Sequence, residues 1–214
     1  MKNYQRDFIQ LSLSEQILRF GQFELKSGRI SPYFFNAGLF NNGQTLDLLG
    51  QYYAAALKES GVAYDMLFGP AYKGIPLVAS LSIALHSRYQ QKIPYAYNRK
   101  EIKDHGEGGN LVGRPLSGRV LIVDDVISAG TSVRESVTLI EQAGATVAGI
   151  LIALDRQEKG TSELSAVEEV KKALNVPVIS IANLNVLITF LQNETSFEDI
   201  LDQVNQYRTQ FGVN

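Results

Sequence analysis

Val120-Leu121-Ile122-Val123-Asp124-Asp125-Val126-Ile127-Ser128-Ala129-Gly130-Thr131-Ser132 reads as the carboxyl end of a buried strand running into a ligand-binding loop. Val120 to Val123 form a continuous apolar run, the pattern of a parallel strand covered on both faces. Asp124 and Asp125 break that run. Burying two adjacent carboxylates without partners would cost several kcal/mol each or force protonation, so both are expected at the open strand end, facing hydroxyls or a cation.

The residues that follow are small. Ser128, Ala129, Gly130, Thr131 and Ser132 let the backbone turn tightly, bring its N–H groups close to a ligand and add three hydroxyls, which together form a nest for a phosphate. Val133, Val137 and Ile140 recur at i, i+4 and i+7. That spacing predicts an amphipathic helix whose N-terminus, with roughly half a positive charge, points at the nest. Gly144 is its expected C-terminal cap. Acidic pair and nest together suit a phosphorylated sugar.

Working outward, strand-like and helix-like segments alternate from Asp47 onward: Leu48 to Ser60, Met66 to Phe68, Leu77 to Leu85, Tyr95 to Asn98, Val120 to Val123, Val133 to Ala143 and Val147 to Leu154. Val178 to Ile181 adds a late strand before helices at about Leu184 to Leu191 and Phe197 to Tyr207. This alternation predicts an α/β fold with a central, mostly parallel twisted sheet flanked by helices, and ligands beyond the carboxyl ends of its strands. Before it, Tyr4, Phe8 and Leu11 share a helical face, and a second short helix is expected over Ser14 to Phe20, capped by Ser14. Phe23 and Leu25, then Pro32 to Asn36, flank the turn-like Lys26 to Arg29 and predict two antiparallel strands. No repeat or linker divides the chain. Residues 1–214 read as a single domain, with residues 1–45 as a small N-terminal hood.

Composition limits the alternatives. The chain has 214 residues, 45% of them hydrophobic, and a formal net charge of −2. Near-neutrality gives no general attraction to nucleic acid or to an anionic membrane, so anion binding must come from local basic residues. Without cysteine there are no disulfides and no thiolate chemistry, and without an apolar run of eighteen residues a soluble, cytoplasmic protein is expected. Neither Gly-x-x-x-x-Gly-Lys-Ser/Thr nor Gly-x-Gly-x-x-Gly occurs.

The stretch from Val120 to Ser132 resembles the signature with which type I phosphoribosyltransferases bind 5-phosphoribosyl 1-diphosphate (PRPP). The resemblance continues at Gly69-Pro70-Ala71-Tyr72-Lys73-Gly74-Ile75-Pro76, where this family carries a diphosphate-binding loop, often with a cis peptide not preceding proline. By resemblance Tyr72 and Lys73 hold the diphosphate. On its residues alone the segment reads equally well as an exposed turn. Arg99 to Gly113 holds six charges, a histidine and four glycines in fifteen residues and cannot pack as core. It is expected as a long solvated loop able to close as a lid.

Three segments narrow the match to the orotate phosphoribosyltransferase branch: Phe23 to Arg29, Ser31 to Asn36, and Arg156 after the strand ending in Leu154. A planar pyrimidine carboxylate calls for aromatic or backbone contacts on its ring and a guanidinium fork for its carboxylate. The resemblance implies that Phe34 and Phe35 cover the base, that Lys26 reaches substrate, that Ser128 contacts orotate or phosphate, and that Arg156 meets the carboxylate. Taken alone, Phe34 and Phe35 read as core aromatics and Arg156 as an ordinary exposed charge. Ser128 stands where many members carry Thr, keeping the hydroxyl and losing a methyl.

The remaining roles also follow from the resemblance. Asp124 and Asp125 take the ribose hydroxyls, Ser128 to Ser132 anchor the 5′-phosphate, and Val126 and Ile127 belong to the same PRPP-binding stretch. Lys73, Arg99, Lys100 and Lys103 neutralise the diphosphate with Mg2+, which is held mainly through PRPP and water with Asp124 or Asp125 nearby. Lys103 or His105 is the candidate proton donor to the leaving group. The resemblance further implies a homodimer in which residues 99–109 serve the partner's site, and a hood completed by part of the C-terminus. Two rivals share the PRPP motif. A purine phosphoribosyltransferase would not need Arg156 or the Lys26 segment, and a non-catalytic PRPP sensor would need no lid.

Overall fold

The computed structural model describes residues 1–25, 27–103, 109–128, 130–160 and 162–213, with backbone alone at 102, 103 and 109. The chain opens with helix α1 (Asn3–Ser14) and strands β1 (Leu18–Glu24) and β2 (Ile30–Phe35). Then come α2 (Gly43–Ser60), β3 (Met66–Gly69), α3 (Gly74–Tyr89), β4 (Tyr95–Lys103), β5 (Gly109–Gly113) and β6 (Arg119–Asp124). The remainder is α4 (Thr131–Gln142), β7 (Thr146–Asp155), α5 (Ala166–Leu174), β8 (Val178–Asn183), α6 (Leu184–Gln192) and α7 (Glu198–Phe211).

Among the described residues the main sheet has six strands in the order β5-β4-β3-β6-β7-β8. Every neighbouring pair is parallel except β4 with β5. From β3 the chain goes outward to β4 on one side, whereas β6, β7 and β8 proceed to the other. The gap between the ends of β3 and β6 is therefore the switch point at which open α/β sheets bind ligands. Both faces of the sheet are covered. Leu121 and Val123 point into the layer shared with Leu49, Tyr53 and Leu81, while Val120 and Ile122 point into the layer shared with Val133, Val137 and Ile140. All four residues of the Val120 to Val123 run have no exposed surface, which is why it is unbroken by polar residues.

Two local expectations fail. No helix spans Ser14 to Phe20: α1 ends at Ser14, Gln16 takes a left-handed φ of 57°, and Leu18 already begins β1. A left-handed residue ends a right-handed helix. Ile17 and Leu18 are both buried, so the pattern there is that of a chain entering a sheet. Nor is Arg99 to Gly113 mainly a loop. β4 runs on to Lys103 and pairs antiparallel with β5, Tyr97 opposite Val112 and Asn98 opposite Leu111. Charges suit an edge hairpin as well as they suit a loop. Helix α5, opened by a capping box between Ser165 and Glu168, had no counterpart in the sequence reading.

β1 and β2 form a separate two-stranded sheet. The C-terminal helix α7 packs on it, with Tyr207 edge-on to Tyr33 at 6.3 Å between ring centroids.

Candidate active site

The acid pair lies where the apolar run ends. Asp124 and Asp125 are 7% and 6% exposed, and their backbone is fixed from two sides. The hydroxyl of Tyr53, on α2, donates to the Asp124 carbonyl at 2.8 Å, and the Ala153 N–H of β7 donates to the Asp125 carbonyl at 2.8 Å. The Asp124 carboxylate accepts the Asp125 N–H at 2.9 Å and the Ser132 hydroxyl at 3.1 Å. Burial, and next the neighbouring Asp125, push its carboxyl up to about 6, with the Asp125 N–H and Ser132 bonds opposing. Burial also holds the Tyr53 hydroxyl well above its usual range, so it stays a neutral donor. Neither Tyr53 nor the Ser132 link to Asp124 was foreseen. A tyrosine 71 positions upstream in an amphipathic helix carries no local signal of its partner.

The loop after the pair divides its side chains between core and ligand face. Val126 packs against one hydrophobic layer and Ile127 against the other, so these two residues offer the site their backbone. Ser128 and Thr131 are exposed. Gly130 takes φ 67° and precedes α4, whose first turn begins at Thr131. A Cβ there would approach Val170 Cγ2 to 3.2 Å, and the φ itself favours glycine. Val133, Val137 and Ile140 are buried as their spacing required, and Gly144 follows α4 at φ 75°. Ala129 lies outside the described residues.

Across the switch point, the loop from Gly69 to Gly74 carries a cis peptide between Ala71 and Tyr72. The Ala71 N–H donates to Asn98 Oδ1 on β4 at 2.7 Å, a support absent from the sequence reading. Tyr72 is 68% exposed. Lys73 Nζ lies 2.7 Å from Asp125 Oδ2, so the two loops face each other closely enough to form an ion pair. Gly69 makes this turn possible: a Cβ there would lie 2.2 Å from the Gly74 carbonyl oxygen and 2.7 Å from Val78 Cγ1. Because the nearer atom is backbone, Gly69→Ala is expected to destabilise the fold by about 3 kcal/mol. It should also weaken PRPP binding through the displaced loop. Denaturant melts and PRPP titration check both, and an unshifted melt would remove the packing argument.

Arg156 is not the exposed charge that the residue alone suggested. It follows β7 directly and keeps 19% of its side-chain surface, because Glu158, Ser31 and Tyr33 enclose it. Burial works against its charge while Tyr33 and Glu158 favour it, and the favourable contacts prevail. The expected aromatic pair is split by strand alternation. Phe35 packs with Phe8 and Phe40, whereas Phe34 stacks on Phe23 at 5.5 Å with the Arg19 guanidinium nearby. Arg99 and Lys100 stand on β4 beyond its last pairing with β3, Tyr97 opposite Gly69. Lys26 and His105 lie outside the described residues, as does the side chain of Lys103. His86 is exposed in the last turn of α3 and stands apart from the site.

The model of the phosphoribosyl transferase domain matches residues 39–182. An orotate phosphoribosyltransferase from Pectobacterium carotovorum is 58% identical over 213 residues, covering 100% of both chains. The chain belongs to the orotate phosphoribosyltransferase family. A second family member, from Cronobacter sakazakii, is 57% identical over the same full length. The crystal structure of the orotate phosphoribosyltransferase from Francisella tularensis superposes with a TM-score of 0.88 at 44% identity, covering 96% of this chain and 99% of that one. Family membership agrees with the site: acid pair, small-residue loop and lysine loop meet at the switch point of a mostly parallel sheet.

Proposed function

We propose that this chain transfers the ribosyl 5-phosphate group of PRPP to N1 of orotate, giving orotidine 5′-monophosphate and diphosphate for pyrimidine nucleotide synthesis. The observation that carries this reading is the meeting of three segments at one sheet edge: Lys73 after β3, Asp124 and Asp125 at the end of β6, and Arg156 after β7. Asp125 bonds to Ala153, and Arg156 stands three residues further along, about 10 Å at the strand rise. That spacing suits a ribose at the acid pair and a pyrimidine carboxylate at the guanidinium.

Cleavage at C1 builds oxocarbenium character on the ribose and releases a polyanion. Asp124 and Asp125 accept the ribose hydroxyls and face the developing cation. The backbone of Val126 to Gly130 and the hydroxyls of Ser128, Thr131 and Ser132 hold the 5′-phosphate at the N-terminus of α4. Ser132 reaches that role by leaving Asp124, and Lys73 by leaving Asp125 for the diphosphate beside Tyr72. Lys26 reaches substrate, and Lys103 or His105 delivers the proton. Of the two expected aromatics, Phe34 on the face with Phe23 is left to border the base, since Phe35 packs into the core, and residues 1–45 with α7 form the hood of one domain. Among the described residues no three histidine or acidic side chains converge into a metal cage. One or two carboxylates beside substrate oxygens and water fit Mg2+, which supplies positive charge to the departing diphosphate.

The proposed assembly is a homodimer. β4 runs six residues beyond its last pair with β3, about 20 Å of extended chain to Lys103, with Arg99 and Lys100 nearer the sheet edge, and in this reading the far end of the hairpin serves a second copy. Exposed Ile83, Tyr89 and Tyr95 on α3 and β4 offer apolar surface for the contact. Among the described residues no helix is long and apolar enough to cross a membrane. The reading includes a cytoplasmic setting, which the lack of cysteine favours. With PRPP and Mg2+, purified protein is expected to remove the ultraviolet absorbance of orotate and to leave adenine, guanine and hypoxanthine unconverted by product chromatography. Conversion of a purine base, or none despite PRPP binding, would overturn the reading.

A further inference from the structure

Arg156 would recognise a carboxylate, yet it already has one beside it. Its Nε donates to Glu158 Oε1 at 2.8 Å, and its Nη2 lies 2.6 Å from the same oxygen. Nη2 also donates to Ser31 Oγ at 2.8 Å, and the guanidinium carbon sits 4.1 Å from the centroid of the Tyr33 ring. The hydrogen bonds to Glu158 and Ser31 use Nε and Nη2 and leave Nη1 out. The guanidinium is thus clamped along its Nε/Nη2 edge and stacked on one face, with the buried Tyr207 hydroxyl of α7 close to it and to Ser31, and the Nη1 side is left for a ligand.

Glu158 is itself held. The Tyr33 hydroxyl donates to its Oε1 at 3.4 Å, and the Arg29 guanidinium comes within 4.0 Å of Oε2. Arg29 is tied to the Lys159 carbonyl at 2.9 Å and lies over the Phe211 ring of α7 at 5.0 Å. Glu158 is 12% exposed in its side chain, so these bonds act in a partly desolvated setting. Two guanidiniums and one carboxylate leave one net positive charge, the amount that a single substrate carboxylate neutralises. An unclamped arginine would have to order its rotamers on binding, which weakens recognition.

We propose that Glu158 is a positioning residue for the acceptor site: it orients Arg156 so that one edge of its fork faces the carboxylate of the pyrimidine. This rests on the reading of Arg156 as the carboxylate partner. Glu158 makes no contact with substrate in this role and acts through Arg156, so removing its charge should affect the acceptor and spare PRPP. Ser31, the second acceptor on Nη2, should act in the same direction and more weakly.

The test is a double-mutant cycle on the full-length enzyme, with KM for orotate, KM for PRPP and kcat measured for Glu158→Gln, Arg156→Ala and the pair. Glu158→Gln keeps the side-chain volume and one oxygen acceptor. It is expected to raise KM for orotate about tenfold, with kcat and KM for PRPP changed less than about twofold. Arg156→Ala should raise KM for orotate by at least as much, and adding Glu158→Gln to it should change nothing further. Ser31→Ala supplies an independent arm, with a rise of about threefold in KM for orotate alone. Additive effects in the pair, or equal losses toward both substrates, would overturn the positioning role while leaving Arg156 as the partner. If Arg156→Ala leaves KM for orotate unchanged, the underlying reading of Arg156 falls instead.

Discussion

Asp124→Asn is expected to melt at a higher temperature than the parent enzyme and to lose nearly all transfer activity. The Asp124 carboxylate is 7% exposed beside a second carboxylate, and its only side-chain donor among the described residues is the Ser132 hydroxyl. Asparagine keeps an oxygen for the Asp125 N–H and turns its amide toward Ser132, whose hydroxyl can accept as well as donate. It removes the buried charge. A carboxyl moved from its ordinary value of 3.8 to about 6 corresponds to roughly 2–3 kcal/mol of destabilisation once ionised. Relief of part of that is worth about 5 °C in a chain of this size. The amide cannot offer a developing ribosyl cation a negative charge, and turnover should fall by about 1000-fold. Thermal melts and steady-state rates read the two effects separately. Parallel loss of stability and activity would make the acid pair a structural element.

The same shift fixes a pH dependence with a definite sign. Because the folded-state value is raised, the folded protein keeps a proton on Asp124 between about pH 4 and 6 that the unfolded chain releases. Stability therefore falls as pH rises through that window and is level above it as far as this group is concerned. The stability gap between parent and Asp124→Asn should accordingly be small near pH 4 and full by about pH 7. PRPP-dependent turnover should decline below about pH 6, as the carboxylate that receives the ribose hydroxyls becomes protonated. An acid pair that is costly to the apo fold and needed by the transition state is how an active site holds its charge in readiness.

What could be seen in the sequence was what repeats or what is improbable. The run from Val120 to Val123, the alternation of strands and helices and the spacing of Val133, Val137 and Ile140 are periodic, and they located the sheet, its order of elements and the helix that follows the small-residue loop. Two adjacent aspartates at the end of a buried run are improbable, and that singled out the candidate site. The supports of the site were hidden because they are long-range. Tyr53 reaches Asp124 across 71 positions, Asn98 reaches Ala71 across 27, and Ser31 reaches Arg156 across 125. None of these residues looks unusual in its own neighbourhood. Residues 99–113 misled because charge and glycine mark an edge hairpin and a loop alike. Phe34 and Phe35 were readable as aromatic neighbours, but only the register of β1 with β2 shows that they serve opposite faces.

Mixing two inactive proteins is expected to produce an active one. Lys103→Ala removes a charge that the reading above assigns to the diphosphate, and Asp125→Asn removes one from the ribose site, so each alone should turn over at least about 100-fold more slowly. In the proposed homodimer each site takes Asp125 from one subunit and Lys103 from the other. A mixed dimer then has one site with both residues intact and one site with neither. If subunits reassort at random, half of the dimers are mixed, and about a quarter of all sites recover. Activity should accordingly climb to about a quarter of the parent level after co-refolding or prolonged mixing at equal concentrations, far above either protein alone. The last residue of β4 stands about 20 Å along the strand from its final pair with β3, a length of hairpin that the proposed assembly uses to reach the partner. Recovery that grows with the fraction of mixed dimers would establish that the β4–β5 hairpin works across the interface. A mixture no more active than its components, with exchange of subunits verified by mass, would assign the hairpin to its own subunit's site.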